Sequence, residues 1–152
     1  MNRFRILIMM ALVLALGACA TTRPTMSFVA GGLSPADAMV LANDVATHLA
    51  DSLPPAKSSL VLDPPASRNA DVLTPVLLTK LRSAGYGVIE ADPRTGAKSG
   101  EGTPVRYLVS PLDNGVVLRL QYLGVEATRF YPRSAGGALV AAGPFTVRGG
   151  AQ

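Results

Sequence analysis

The sequence predicts an α+β domain: two helices packed on one face of a mostly antiparallel sheet that ends in a β-meander, set behind a signal peptide and a flexible tether. Three observations predict it. Two stretches in the first half of the chain repeat apolar residues at spacings of three and four, the period of a one-sided helix. The second half alternates apolar and polar residues in short runs, the period of a half-buried strand. Between two of those runs stands Asp113-Asn114-Gly115, and Asn-Gly between apolar runs is a strong local hairpin signal.

The N-terminus comes first. Arg3 and Arg5 precede the apolar run Ile6 to Leu16, which gives way to Gly17 and Ala18 and then to Cys19, the only cysteine. This is the n-region, h-region and cleavage-site order of a secretion signal. An apolar run of eleven residues is short for a spanning helix, which needs roughly 20. The tetrapeptide Leu16-Gly17-Ala18-Cys19 resembles the bacterial lipobox. Small side chains let the scissile backbone lie extended, and the thiol takes diacylglycerol. With a second cysteine absent a disulfide is excluded, so Cys19 is expected to carry a covalent diacylglycerol and an N-acyl chain. Several buried acyl chains anchor stably where one does not. The expected organisation is a lipoprotein signal peptide over 1–18, a lipidated tether over 19–33 and a periplasmic α+β domain over 34–152.

Along the tether, Thr21 to Thr25 and Gly31-Gly32 mix turn formers without a sustained period, although Met26, Phe28 and Val29 alternate as a short docking strand would. The first helix opens at Ser34-Pro35-Ala36-Asp37, where Ser suits the cap, Pro the first helical position and Asp the positive end of the dipole. Ala38, Leu41, Ala42, Val45, Leu49 and Leu53 form its apolar stripe, and Pro54-Pro55 stops it. Ser58 to Asp63 reads as a strand between two Pro pairs. A second helical pattern runs from about Asn69 to Ala84, with Val72, Leu73, Val76, Leu77, Leu81 and Ala84 on one face. Pro75 leaves two readings: Thr74 caps a short helix, or Asn69 caps a longer one that kinks. Gly85 suits a left-handed cap with Tyr86 folding back on the last turn. Tyr86 to Ala91 reads as a strand and Asp92 to Thr103 as an exposed loop. Hairpins are expected around Asn114-Gly115, and between Val125–Tyr131 and Ala138–Val147.

Chemistry is sparse. One His and one Cys leave neither a catalytic triad nor a metal pattern, both of which need further members at fixed spacing. His48 beside the first apolar stripe reads as a helix-edge side chain, and a hydrolase would have to join it to a distant Ser and Asp. The glycine pairs lack the Lys and Ser or Thr of a phosphate loop. No catalytic, cofactor-binding or metal site is therefore expected. The net charge of +4 falls to +2 once Arg3 and Arg5 are removed with the signal. The remaining charges are scattered rather than gathered in a basic stripe, so direct nucleic-acid binding is not expected. Arg129, Phe130, Tyr131 and Arg133 read in two ways, as residues packed within the sheet or as a candidate interface, the second because Tyr, Phe and Arg favour contact surfaces.

Taken together, Leu16-Gly17-Ala18-Cys19, the helix segment Leu41-Ala42-Asn43-Asp44-Val45-Ala46, the turn Leu81-Arg82-Ser83-Ala84-Gly85-Tyr86 and the hairpin about Asn114-Gly115 resemble the TrbH family of conjugal-transfer lipoproteins over most of the chain. The resemblance implies a structural, non-enzymatic part of the mating-pair-formation apparatus, a type IV secretion system that moves plasmid DNA. Its partners would be the membrane, through the lipid, and other channel subunits, with the chain an oligomer within the assembly. Ala20 stands where an inner-membrane retention signal would place Asp, which implies an outer-membrane anchor facing the periplasm. The competing expectation is a generic outer-membrane lipoprotein that binds an envelope ligand such as cell-wall glycan or another transport complex.

Overall fold

A computed structural model of the chain describes residues 27–67, 69, 71–92 and 94–149. Leu16 to Cys19 and the rest of the leader lie outside the described residues. Strand β1 (Phe28–Val29) is followed by helix α1 (Pro35–Ser52), a 3-10 turn (Pro55–Lys57), β2 (Ser59–Leu62), α2 (Leu73–Ser83), β3 (Gly87–Glu90), β4 (Thr103–Leu112), β5 (Gly115–Tyr122), β6 (Val125–Pro132) and β7 (Thr146–Gly149). The strands make one seven-stranded mixed sheet in the order β3-β2-β4-β5-β6-β7, with β1 also on β4. Its longer ladders, β4–β5 and β5–β6, are antiparallel. The fold is the expected α+β arrangement, and β4 to β7 form the meander.

Helix α1 starts where its first residues dictate. The Asp37 amide donates to Ser34 Oγ (3.1 Å) and the Ser34 amide donates back to Asp37 Oδ2 (2.9 Å), a reciprocal capping box with Pro35 at the first turn. Ala38, Leu41, Ala42, Val45, Leu49 and Leu53 are all buried, as the spacing predicts. Helix α2 follows neither of the two readings of Pro75. It begins at Leu73, and Asp71 serves as its cap by accepting from the amides of Leu73 (3.2 Å) and Thr74 (3.0 Å). Pro75 then falls within the first turn, where its missing N–H removes no intrahelical bond. At the far end Gly85 has φ +95°, Tyr86 N donates to Leu81 O and Gly85 N to Arg82 O, which closes the left-handed cap.

Between these helices the chain departs from a pure antiparallel pattern. β2 pairs parallel with β3 and with the first part of β4, so α2 is the crossover of a β-α-β unit. β1 takes the second part of the same β4 edge, again parallel, with Val29 opposite Val109. Ser27 splices the two tracks: its amide donates to Asp63 O, and its hydroxyl accepts from the Tyr107 amide at 3.0 Å. The docking-strand pattern of Phe28 and Val29 is thus realised, and the chain from Ser27 onward, expected as tether, is built into the domain.

The last hairpin is also modified. Its turn closes through Ser134 N to Ala138 O, and Val140 and Ala142 donate to Pro132 and Phe130. The ladder then breaks at Gly143 (φ +85°) and Pro144, which has no N–H. It re-forms two residues out of step, with Thr146 opposite Thr128. Only β7 is regular strand, in place of the longer run expected from Ala138 to Val147.

The core lies between the two helices and one face of the sheet, where Leu60, Leu62, Val105, Tyr107, Val109, Leu118, Leu120 and Ala127 meet Leu41, Val45, Leu49, Leu73, Leu77 and Leu81. Burying each such side chain contributes roughly 1.5–3 kcal/mol. Alternation along the strands leaves Phe28, Leu108, Val117 and Phe130 on the opposite face.

Candidate functional site

The most polar feature of the domain is a seam where one edge of α1 meets β6. Asp37, Asp44 and His48 follow one another along the flank of the apolar stripe, at spacings of seven and four that keep them on one side of a helix. On β6, Arg129, Tyr131 and the following Arg133 alternate onto the face that α1 covers. Arg133 reaches Asp37 with Nη1 at 3.1 Å and Nη2 at 2.9 Å, and also donates to Gly137 O at 2.8 Å. Arg129 Nη1 lies 2.7 Å from Asp44 Oδ2, and the Tyr131 hydroxyl donates to the same oxygen. His48 Nε2 is 3.0 Å from the Tyr122 hydroxyl, and its ring stacks on Phe145 with centroids 4.2 Å apart. The Arg129 guanidinium stands 5.2 Å from the Phe145 ring, joining the two halves of the seam.

The electrostatics follow from that packing. Burial by itself would raise the Asp37 carboxyl, but hydrogen bonds from Arg133 and Ser34 outweigh it and hold the group below the usual carboxylate range. Burial lowers the His48 pKa, with Arg129 acting the same way and Asp51 and Asp44 opposing. Burial first, then the hydrogen bond to Asp44, drives the Tyr131 hydroxyl far up, so it remains a donor. At neutral pH the Asp37 carboxylate is therefore ionised against Arg133 and the His48 ring is neutral.

Of the four residues that the sequence offers as sheet packing or interface, three pack inward. Tyr131 is fully buried, and Arg129 and Arg133 are directed inward to α1 carboxylates, their side chains only 18% and 29% exposed. Phe130 alone of the four lies on the opposite face of the sheet, beside Val117. The reason is the covering helix: Arg and Tyr on a strand look like surface residues until the facing carboxylates, 85 to 96 positions earlier, are known. The regular spacing of Asp37, Asp44 and His48 is the signal that could have shown where they go.

A second polar network was not visible in the sequence. Thr74 Oγ1 lies in hydrogen-bond contact with both Asp71 Oδ2 and the Tyr107 hydroxyl, fastening the start of α2 to the centre of β4. Burial pushes the Tyr107 pKa up despite the Thr74 contact. Where β2 ends against β4, Arg106 Nε donates to Asp63 Oδ2 at 3.3 Å. Tyr86 donates to Leu53 O at 2.7 Å, tying the end of α1 to the turn after α2. Among the described residues no three His, Cys, Asp or Glu side chains converge as a metal site. No described helix is long and apolar enough to cross a membrane.

Comparison with known proteins adds one match. A family model described as conjugal transfer protein TrbH covers residues 21–150. No curated protein and no solved structure matches the chain.

Proposed function

The chain belongs to the TrbH family of conjugal transfer proteins, and from that premise we propose that it is a non-enzymatic lipoprotein of the conjugative type IV secretion apparatus, bracing envelope channel subunits. Membership implies involvement in conjugation. The anchor, the location and the bracing role belong to this proposal. In it, Cys19 carries diacylglycerol and an N-acyl chain, the lipid sits in the outer membrane, and the domain faces the periplasm.

The observation that carries this reading is the order Leu16-Gly17-Ala18-Cys19 immediately ahead of the segment that the family model matches. A thiol at that place, behind a basic n-region and a short apolar core, is what lipoprotein processing uses. The polar side chains of the domain support a scaffold role, since the seam along α1 engages its charged groups with one another. In a water-exposed catalytic cleft, some of those groups would be directed at a substrate.

Replacing Cys19 with Ser tests it. Cells that carry the transfer system and a radiolabelled palmitate precursor should show label on the native chain and none on Cys19→Ser. The variant should leave the membrane fraction and conjugation frequency should fall. Full membrane retention and transfer by Cys19→Ser would sink the anchored-scaffold reading.

A further inference from the structure

Among the described residues, the sheet has one face under the helices, while over β4 to β6 no helix or strand packs on the other face. On that open face the register gathers Phe28, Leu108, Val117, Phe130, Leu112 and Val140. Phe28, Leu112 and Val140 are 51%, 46% and 52% exposed. Monomeric domains rarely leave contiguous apolar side chains of this size in water without a partner for them. We propose that this face docks on the phospholipid surface to which the chain is tethered, so that the sheet lies against the membrane and the helical layer points away from it.

Chain length selects lipid as the occupant. The inference rests on the acylated Cys19 of the proposed function, and β1 places a tight limit on what that anchor permits. Ser27 is already bonded into the sheet through Asp63 and Tyr107. Eight residue steps separate it from Cys19, and at full extension they reach about 28 Å. A domain held by so short a leash samples the lipid surface at high effective concentration, so even a weak apolar face will seat on it. The first exposed side chain after the leash is Phe28, on the open face itself. Arg119, with its side chain 47% exposed, follows Leu108 across the same row, and the exposed Arg148 stands opposite Glu126 one row away. Apolar side chains bordered by arginine suit the boundary between acyl chains and anionic headgroups. Glu126, which pairs with Arg119 at 3.6 Å, is the acidic group on that border.

The chain contains no tryptophan, so Phe28→Trp and Phe130→Trp each install a single reporter on the open face, and Met39→Trp installs one on the exposed side of α1. The full-length lipoprotein carrying each change is reconstituted into phosphatidylethanolamine and phosphatidylglycerol vesicles whose acyl chains are brominated. Flotation of the vesicles reports the anchor separately. The expected result is a blue shift and loss of emission for the tryptophans at positions 28 and 130, with the tryptophan at 39 unaffected. Protein that floats with the vesicles while all three reporters remain unquenched overturns the docking face and leaves the anchor standing. Protein that fails to float overturns both the anchor and the docking that depends on it. Reporters that are unquenched by lipid but blue-shift when envelope proteins from transfer-competent cells are added also overturn the proposal, assigning the face to a protein partner. Two reporters on the open face guard against a single substitution that disturbs β1.

Discussion

Arg133 sets two guanidinium nitrogens against the Asp37 carboxylate across 96 positions of the chain, at 3.1 and 2.9 Å, and so ties the turn after β6 to the first turn of α1. Asp37 is also the returning partner of the Ser34 capping box. One carboxylate therefore caps the helix and fixes where it lies on the sheet. Asp37→Ala removes both roles and should destabilise the domain by about 2 kcal/mol, read from urea denaturation. A loss no larger than that of an exposed Asp→Ala change elsewhere would mean that the fork is ornamental.

The same carboxylate gives a pH dependence. Its folded pKa is below the ordinary value of 3.8, so its contribution is fully present above the unfolded pKa and disappears as pH falls through the folded one. Acid titration of stability should show a steep limb below about pH 4. Asp37→Asn should flatten that limb while leaving the curve above it parallel to that of the native chain.

His48 carries a second and separate pH response. Burial depresses its folded pKa below 6.5, so the neutral ring is the form that the fold favours. Stability from this group is complete above the unfolded pKa and is lost as pH falls through the folded value. The groups that face the ring are Tyr122, Phe145, Arg129, Asp44 and Asp51. Nuclear magnetic resonance titration of the ring protons should place the midpoint under 6.5, and His48→Gln should remove the corresponding slope from the stability profile. The same variant should retain conjugation at the native frequency. Loss of transfer with the fold intact would favour a chemical role for His48.

Ser27 offers a test of how firmly the chain before α1 is joined to the domain. Its hydroxyl accepts from the Tyr107 amide at a buried position in the middle of β4. Ser27→Ala leaves that donor without its partner and should cost about 1–3 kcal/mol. Hydrogen exchange at the Tyr107 amide should accelerate in the variant. Unchanged exchange there would show that β1 does not protect β4.

The helical layer was legible because its signals are local. Ser34, Pro35 and Asp37 stand within one turn of each other, and the apolar stripe repeats along a single segment, so α1 could be read to within a residue. The β5 hairpin was legible for the same reason, through Asn114-Gly115. What the sequence hid depends on partners far along the chain. The parallel placement of β2 between β3 and β4 is decided by tertiary pairing, as is the docking of β1. The direction of Arg129, Tyr131 and Arg133 is settled by α1 carboxylates that only the folded chain brings opposite them. Asp71 as the cap of α2 is hidden by Thr74 and Pro75, whose own cap chemistry points three and four residues downstream.

The β5–β6 hairpin makes the sharpest steric demand in the sheet. A Cβ on Gly115 would stand 2.3 Å from Tyr131 O and 2.8 Å from Pro132 Cα, both backbone atoms that cannot rotate away. Accommodating it would push β6 outward at the residues that carry Tyr131 to Asp44 and Arg133 to Asp37, so the strain would spread into the seam with α1. Gly31, in the turn after β1, would meet nothing within 4 Å and has no positive φ to lose. Gly115→Ala should therefore destabilise by about 3 kcal/mol, and Gly31→Ala should stay within about 0.5 kcal/mol of the native chain. Urea denaturation of the two variants side by side checks this. Equal small losses would show that β6 can move off β5 freely, in which case β6 could not be what holds α1 in register.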